Sequence, residues 1–401
     1  ADGLRKAIGK KKADLMEEVK KAFLLGTKRM SIVTQEVAEE LFSWIEKSNR
    51  YAFNKSHAVS YAINAYWSAY CKTYRTIKFY EKYLGRSDKK PKPDIEKKQL
   101  IVDAKRFDID VLPPRLRYLY TEFTRCTETN TIHFGLRHIK NVGAKECDKI
   151  IDLVSREDIS GYCWMDCLVK IIHGLNLNKR SVISLISVGA FSGVNNSVSR
   201  QKMLYEFDSW KQLSPREQKG IADNHNSEEP SLYAEELADS IDHLVGTIKI
   251  NSRRLPIVED IRGSLRNPFY DLEDRTLSIA SDEEKYMSCS LTCSKIDGID
   301  LNVATYMCKE IGNGAITGKA NLAAEIVSVR TYKTKRGKNP GQTMAFLCVE
   351  DGSGSLDSVT VFPECYEKHK NLLVESNTVL MIGEISKKDS ASLIVNQLSQ
   401  I

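Results

Sequence analysis

Apolar residues recur every three or four positions along the first third of the chain, which is the spacing of amphipathic helices. This pattern predicts a helix over residues 3–30, interrupted by an exposed turn at the glycine and three lysines of residues 9–12, and a second helix over residues 34–47. A third helix, rich in Ala and Tyr, is predicted from residue 58 to about residue 84. The glycine, lysines and prolines of residues 85–93 then predict a linker.

Weaker patterns follow in the middle of the chain. Residues 99–125 predict a short strand and then an extended Leu-Pro-Pro segment at 112–114, because proline disfavours helix in the residue before it. Helical spacing predicts further helices over residues 146–154, 163–174 and 178–189. Residues 213–240 are polar and predict a mobile connector, whereas residues 241–316 show no pattern that indicates one structure.

The last 85 residues change to a period of two, which is typical of strands. The predicted strands are residues 321–331, 343–350, 355–362, 378–385 and 392–398, with a helix over residues 365–373. Five strands with one helix after the third is the order of an oligonucleotide-binding (OB) barrel. The expected fold class is therefore multidomain α+β, with mostly helical regions followed by a C-terminal five-stranded OB-fold β-barrel. The basic loop at residues 333–340 would flank the binding face of such a barrel.

A length of 401 residues suggests two to four domains. No apolar run approaches the ~18 residues of a membrane-spanning helix, and no N-terminal segment has the order of a signal peptide. Ten cysteines scattered through a lysine-rich chain predict free thiols rather than a disulfide framework, and with them a cytoplasmic location.

Positive charge is concentrated near the N terminus. Residues 1–98 carry 22 Lys and Arg against 12 Asp and Glu, a net of +10, whereas residues 99–316 carry 27 against 32, a net of −5. This asymmetry predicts a localised surface that faces a polyanion. The charge alone is compatible with nucleic acid, with nucleotide phosphates and with an acidic protein partner.

Two short segments resemble the turns of helix-hairpin-helix motifs. Residues 139–143, Ile-Lys-Asn-Val-Gly, precede a predicted helix, and small residues in such a turn let backbone N–H groups approach a DNA phosphate. Asn141 stands where glycine is commoner, but Asn also tolerates left-handed geometry. Residues 185–191 form a degenerate second copy. An ordinary helical hairpin is the alternative for each segment taken alone.

Other polar clusters have simpler explanations. The lysines of 10–12 are typical of a solvated turn, and residues 53–57, Phe-Asn-Lys-Ser-His, suit either a phosphate or base contact or a helix cap. Asp108 and Asp110 alternate as a metal pair would, but no third carboxylate lies nearby in sequence. The i, i+4 cysteine pairs, Cys163 with Cys167 and Cys289 with Cys293, are more typical of buried thiols than of zinc ligands. The sequence contains no P-loop, dinucleotide fingerprint, zinc-protease helix or serine elbow.

Two strings carry a family resemblance. Residues 1–11, ADGLRKAIGKK, and residues 53–62, FNKSHAVSYA, closely resemble the fingers of C-family bacterial replicative DNA polymerases, the DNA polymerase III alpha subunits. Later pieces follow the family's order: Leu-Pro-Pro, the first hairpin, the segment from Leu177 to the second hairpin, and the barrel.

The resemblance implies four regions. These are the C-terminal part of the polymerase fingers at 1–90, a tandem helix-hairpin-helix DNA-binding region at 91–212, a connector with a clamp-binding peptide at 213–316, and an OB-fold single-strand-binding domain at 317–401. It also implies part of a DNA-directed DNA polymerase, a nucleotidyltransferase that makes DNA from dNTPs. The palm aspartates and their Mg²⁺ lie outside this chain, so the chain alone is expected to be inactive and to bind no cofactor.

Site residues follow from the same resemblance. Nucleotide and template contacts are expected from Arg5, Lys6, Lys10, Lys11, Asn54, Lys55 and His57, with Lys6 where the family commonly has Arg. Duplex backbone contacts are expected from Lys140, Asn141, Val142, Gly143, Lys145 and Gly189. Single-strand contacts are expected from Tyr332, Lys333, Lys335, Arg336, Lys338 and Phe346, and a clamp peptide at Leu232 and Tyr233.

The implied partners are a DNA primer-template, single-stranded template, an incoming dNTP, the palm and N-terminal portion on the same or a separate chain, and a sliding clamp. The setting implied is a bacterial cell or a virus-infected bacterial cell. The alternative is a non-catalytic accessory protein that binds single- and double-stranded DNA in a replication complex. A tRNA-binding module on the same barrel type would leave residues 1–85 unexplained.

Overall fold

The computed structural model describes residues 13–31, 33–49, 55–227, 234–247, 250–297, 304–334, 340–375 and 377–401. Contacts divide the chain into two compact units, Ala1–Tyr74 and Arg75–Ile401. Each unit is described by itself.

The first unit is helical, with α1 (Ala13–Met30), α2 (Gln35–Asn49) and α3 (Lys55–Tyr74). Helices α1 and α2 pack through Phe23 and Phe42, whose ring centroids are 5.5 Å apart. None of the twenty described residues of α3 is buried. The predicted helices are therefore present over the described residues, and the aromatic side chains of α3 project from the unit rather than into a core.

The helix predicted over 58–84 is in fact two helices. Arg75 has non-helical backbone angles (φ −137°, ψ 41°) and separates α3 from α4 (Thr76–Leu84). No glycine or proline marks this break, so the sequence pattern did not reveal it. Tyr80 and Leu84 of α4 are buried in the core of the second unit, so the contacts divide the chain after Tyr74. The fingers boundary at residue 90 stays a prediction.

Residues 75–293, here called the helical body, share one hydrophobic core. Its helices are α5 (Pro93–Lys105), α6 (Ala144–Arg156), α7 (Trp164–Asp166, continued by a π-helical segment Cys167–His173), α8 (Lys179–Ser187), α9 (Arg200–Gln212), α10 (Pro215–His225), α11 (Leu237–Thr247), α12 (Leu255–Arg266) and α13 (Thr276–Met287). Short 3₁₀ turns occur at Ser87–Lys89, Leu116–Tyr118 and Leu136–His138. Strands β1 (Asp110–Leu112), β2 (Thr124–Cys126) and β3 (Thr131–His133) form a small sheet in the order β1-β3-β2, with β1 parallel to β3.

The segment predicted to be a mobile connector is largely helical where it is described. Ser214 and Glu217 form a capping box at the start of α10, and Ile221, Leu237 and Ile241 are buried in the core of the helical body. These apolar residues lie at helical spacing, but they are few among many charged ones. One buried stripe is enough to hold a helix when neighbouring helices cover it.

The barrel is closed and follows α14 (Cys308–Gly312). Its elements are β4 (Lys319–Lys333), β5 (Thr343–Asp351), β6 (Gly354–Val361), α15 (Pro363–His369), β7 (Thr378–Ile385) and β8 (Leu393–Gln400). The strand order β4-β5-β6-β8-β7 closes through β4 with β7, and β6 with β8 is the parallel pair. This architecture confirms the predicted five-stranded OB-fold, including the helix after the third strand.

The ten cysteines, all within the described ranges, are free thiols. Cys167 and Cys289 are buried, whereas Cys163 and Cys293 are half-buried. None of the helices in the described ranges is long and apolar enough to cross a membrane.

Candidate nucleic-acid interface

The first hairpin is built around Asn141, whose backbone is left-handed (φ 69°). The Asn141 side-chain amide donates a hydrogen bond to Ser184 Oγ at 3.1 Å, and the Asn141 carbonyl accepts one from Ser181 Oγ at 2.6 Å. Val142 is buried beneath the turn. The hairpin is therefore tied to α8, and the left-handed geometry expected of Asn141 is present.

Gly143 is the N-cap residue of α6 and has an extended backbone conformation. A Cβ added there would lie 2.9 Å from Glu146 Oε2, the far end of a flexible side chain. Lys145 is exposed on the first turn of α6, where backbone N–H groups and the helix dipole favour an anion. Lys140 Nζ pairs with Asp94 at 3.0 Å, so a phosphate would compete with this carboxylate.

The second hairpin turns at Gly189, where φ is 74°. Gly189 N–H donates to the Ile186 carbonyl at 2.9 Å, which closes the end of α8. A Cβ at Gly189 would lie 2.6 Å from Arg115 Nη1 and 2.8 Å from Arg200 Nη2. Gly189 is buried, and this placement does not favour the direct phosphate contact predicted for it.

Two arginine side chains donate hydrogen bonds to backbone carbonyls of this second hairpin. Arg200 donates to the Ser187 carbonyl at 2.8 Å and pairs with the fully buried Glu283 at 2.9 Å. Arg115 donates to the Gly189 carbonyl at 3.1 Å. Burial and the neighbouring Arg200 lower the pKa of Arg115 to about 10. These guanidiniums are structural partners of the turn, and sequence spacing had not indicated them, since they lie 74 and 11 residues away from Gly189.

Two of the seven nucleotide-contact candidates, Lys55 and His57, are among the described residues. Arg5, Lys6, Lys10, Lys11 and Asn54 lie outside the described residues. Lys55 and His57 are exposed on the first turn of α3, and the His57 ring packs edge-to-face on Tyr61 at 4.5 Å. The helix continues with four exposed tyrosines, Tyr61, Tyr66, Tyr70 and Tyr74.

On the barrel, Tyr332 and Phe346 project outward with 45% and 44% of their surface exposed. Lys333 is exposed at the end of β4, whereas Lys335, Arg336 and Lys338 lie outside the described residues. Sequence reasoning missed Arg330, which is exposed and lies opposite Phe346 in the β4–β5 ladder, and Phe362, which is 47% exposed. The period of two along β4 could have predicted the outward position of Arg330, because Arg330 and Tyr332 are two residues apart and so lie on the same face of the strand.

Two other features of the sequence are the aspartate pair at residues 108 and 110 and the proposed clamp peptide. Asp108 has a left-handed backbone (φ 54°) outside β1, so Asp108 and Asp110 are not alternate residues of one strand. Among the described residues, no group of three His, Cys, Asp or Glu side chains is arranged to hold a metal ion. The clamp-peptide residues Leu232 and Tyr233 lie outside the described residues.

Comparison with known proteins agrees with this geometry. A family described as a helix-hairpin-helix motif matches residues 108–203, which contain both hairpins. The DNA polymerase III alpha subunits of Aquifex aeolicus and Borreliella burgdorferi are each 28% identical to this chain, over 96% and 100% of its length. That of Thermus aquaticus is 33% identical over 47% of the chain.

The predicted resemblance to C-family replicative polymerases is confirmed by these relatives. The chain spans 28% of the Aquifex aeolicus protein and 32% of the Borreliella burgdorferi protein, less than a third of each.

Proposed function

We propose, from this similarity to DNA polymerase III alpha subunits, that the chain is the DNA-handling C-terminal portion of a C-family replicative DNA polymerase. The main support for this proposal is that one chain combines a polymerase-like sequence along its length with a helix-hairpin-helix region and an OB barrel. The palm, with its carboxylates and Mg²⁺, is placed in the part of the enzyme outside this chain, so this chain by itself would not extend a primer. The setting proposed is the cytoplasm of a bacterial or virus-infected bacterial cell.

The proposed work is divided among three regions. The start of α3, with Lys55 and His57, contacts the incoming dNTP and template. The first hairpin and the N terminus of α6, with Lys145, contact the duplex backbone without reading sequence. The outer face of the barrel, with Tyr332 and Phe346, holds single-stranded template by charge and stacking. A sliding clamp is a further proposed partner, through Leu232 and Tyr233.

The duplex assignment is tested by binding of the whole chain to a labelled primer-template at several salt concentrations. Each lost phosphate contact reduces the slope of log K against log salt by about 0.9. We expect Lys145→Ala to weaken binding and to reduce the slope by about one contact. Lys219→Ala, an exposed lysine of α10, is the matched control and should leave both unchanged. Equal behaviour of the two variants would contradict the duplex role of α6.

The polymerase assignment is tested by mass spectrometry of proteins that copurify with the chain, together with primer extension by the isolated complex. A palm-containing polypeptide, or a palm on a longer form of this chain, with extension activity is the expected result. Isolation of the chain without any palm, inactive but binding single strands, would instead support an accessory protein.

A further inference from the structure

A cleft of about 340 Å³ lies between helix α5 and the outer face of the barrel. This volume is at the lower end of the ~300–1,000 Å³ typical of small-molecule sites. Helix α5 supplies Gln99, Asp103 and Arg106 to the lining, and the barrel supplies Arg330, Phe346 and Asp357. The cleft therefore has one wall from the helical body and one from the barrel.

The barrel wall offers a flat ring beside a cation. Phe346 presents its ring at the cleft, and Arg330 lies opposite it on the neighbouring strand. The Arg330 guanidinium has no hydrogen-bond or ion-pair partner among the described residues. An aromatic face with an adjacent guanidinium is a platform on which a nucleobase stacks.

The charges of the cleft suit a neutral ligand. Arg106 pairs with Asp357, and Asp103 accepts a hydrogen bond from the Tyr80 hydroxyl at 2.7 Å. Two arginines and two aspartates cancel formally, so the cleft as a whole does not favour a phosphate. Gln99 is exposed, and its amide both donates and accepts, as the edge of a nucleobase requires.

The platform continues along the outer face of the barrel. Tyr332 pairs with Met344 in the ladder, two residues beyond the Arg330–Phe346 pair, and Phe362 directly follows β6. Two residues along a strand span about 6.6–6.8 Å. Exposed rings thus lie in successive rows that lead to the cleft.

The two walls are held together by ion pairs. Lys98 of α5 lies 3.7 Å from Glu350 of β5 and also pairs with Glu325 of β4. Arg106 of α5 and Asp357 of β6 both line the cleft and form a second ion pair between its walls. The cleft is therefore preformed, and a ligand need not order it.

We propose that one nucleobase of a single strand bound to the barrel enters this cleft, stacks on Phe346 and has its edge contacted by Gln99 of the helical body. The inference rests on the proposed binding of single-stranded DNA by the barrel. It adds that the helical body completes the single-strand site, with Arg330 and Gln99 as binding residues.

The test compares two strands of equal length, a labelled oligothymidylate and an abasic strand, by fluorescence anisotropy with the whole chain. Loss of one neutral hydrogen bond weakens binding about 2- to 12-fold. We expect Gln99→Ala to show this loss for oligothymidylate and none for the abasic strand. Phe346→Ala is expected to weaken oligothymidylate binding about 5- to 140-fold, the range for one base stacked on an aromatic ring.

Gln397→Ala is the matched control, because Gln397 is an exposed glutamine on β8, which pairs with β6 and β7. If Gln99→Ala binds oligothymidylate as Gln397→Ala does, while Phe346→Ala binds weakly, the cleft proposal is overturned and single-strand binding by the barrel stands. Equal weakening of both strands by Gln99→Ala would also overturn it, since a phosphate contact would explain the loss. Failure of the unmodified chain to bind either strand would instead overturn the proposed single-strand function.

Discussion

Lys98 links the helical body to the barrel, and its replacement by methionine is the most informative single change. The Lys98 side chain is 15% exposed and lies within 4 Å of three carboxylates, those of Glu284, Glu325 and Glu350. Glu325 is the most deeply buried of these, with 6% of its side chain exposed. Lys295 is the second cation of the cluster, 3.8 Å from Glu325.

The expected cost follows from the carboxylates left behind. Removing one partner of a buried ion pair typically costs about 3–5 kcal/mol, because the other charge stays buried without compensation. Lys295 still compensates part of the charge, so we expect a loss of about 3 kcal/mol, the lower end of this range. Methionine keeps most of the length and apolar stem of lysine, which limits any packing loss.

The pH dependence gives a second criterion. Burial raises the pKa of Glu325, so the folded state binds this proton more tightly than the unfolded state. Protonation of Glu325 therefore stabilises the fold most at low pH, and this contribution is lost as pH rises through the raised pKa. Without Lys98 the pKa of Glu325 should be raised further, so Glu325 is more readily protonated at pH 5 than at pH 8. The loss of folding free energy caused by Lys98→Met should therefore be smaller at pH 5 than at pH 8.

For Lys98 itself, burial lowers the pKa, but the three carboxylates outweigh this and raise it above its usual value. Its stabilising contribution is complete below its unfolded pKa of ~10.5 and is lost as pH rises through the higher folded value. On going to strong alkali the unmodified chain should therefore lose more stability than Lys98→Met does.

The measurement is urea denaturation followed by circular dichroism at pH 5 and pH 8. Lys105→Met is the control, because Lys105 is exposed on the same helix. The double variant Lys98→Met/Glu325→Met should recover much of the stability, since it removes the uncompensated charge. A loss below about 1 kcal/mol, or a loss that is the same at both pH values, would refute the reasoning.

Three further predictions follow from single residues. Gly189→Ala should lower the free energy of unfolding by about 1–3 kcal/mol, because the φ of 74° at Gly189 and the nearby Arg115 side chain both oppose a Cβ. An unchanged denaturation midpoint would contradict this expectation. Burial raises the pKa of Glu206 to about 7, so the protonated carboxyl stabilises the fold fully below pH ~4.5. About 3 kcal/mol of this stabilisation is lost as pH rises through 7. Glu206→Gln should flatten the dependence of the melting temperature on pH, and an unaltered dependence would contradict the raised pKa. Within a complete enzyme, Lys55→Ala should impair nucleotide incorporation more than duplex binding in paired kinetic and binding assays, and equal losses would remove its proposed role.

The local spacing of apolar residues along the chain predicted much of the fold. The period of two after residue 320 predicted every strand of the barrel within a few residues, because a barrel strand buries alternate side chains whatever lies across it. The first hairpin was likewise predicted from the sequence, because the left-handed turn at Asn141 depends on the residue type at that one position. Tyr332 and Phe346, which the family resemblance proposed as binding residues, are exposed on the barrel, and their binding role stays a prediction.

Long-range packing decided the rest. Helix α10 has too few apolar residues to be identified until its neighbours cover it, and no glycine or proline marks the break at Arg75. The sequence by itself therefore determined the barrel, the first hairpin and the family resemblance, because each depends on residues close together in the chain. The cleft, the arginines behind Gly189 and the pairing of Lys98 with Glu325, 227 residues apart, were decided only by tertiary structure, since spacing along a chain holds no information on which distant charges meet.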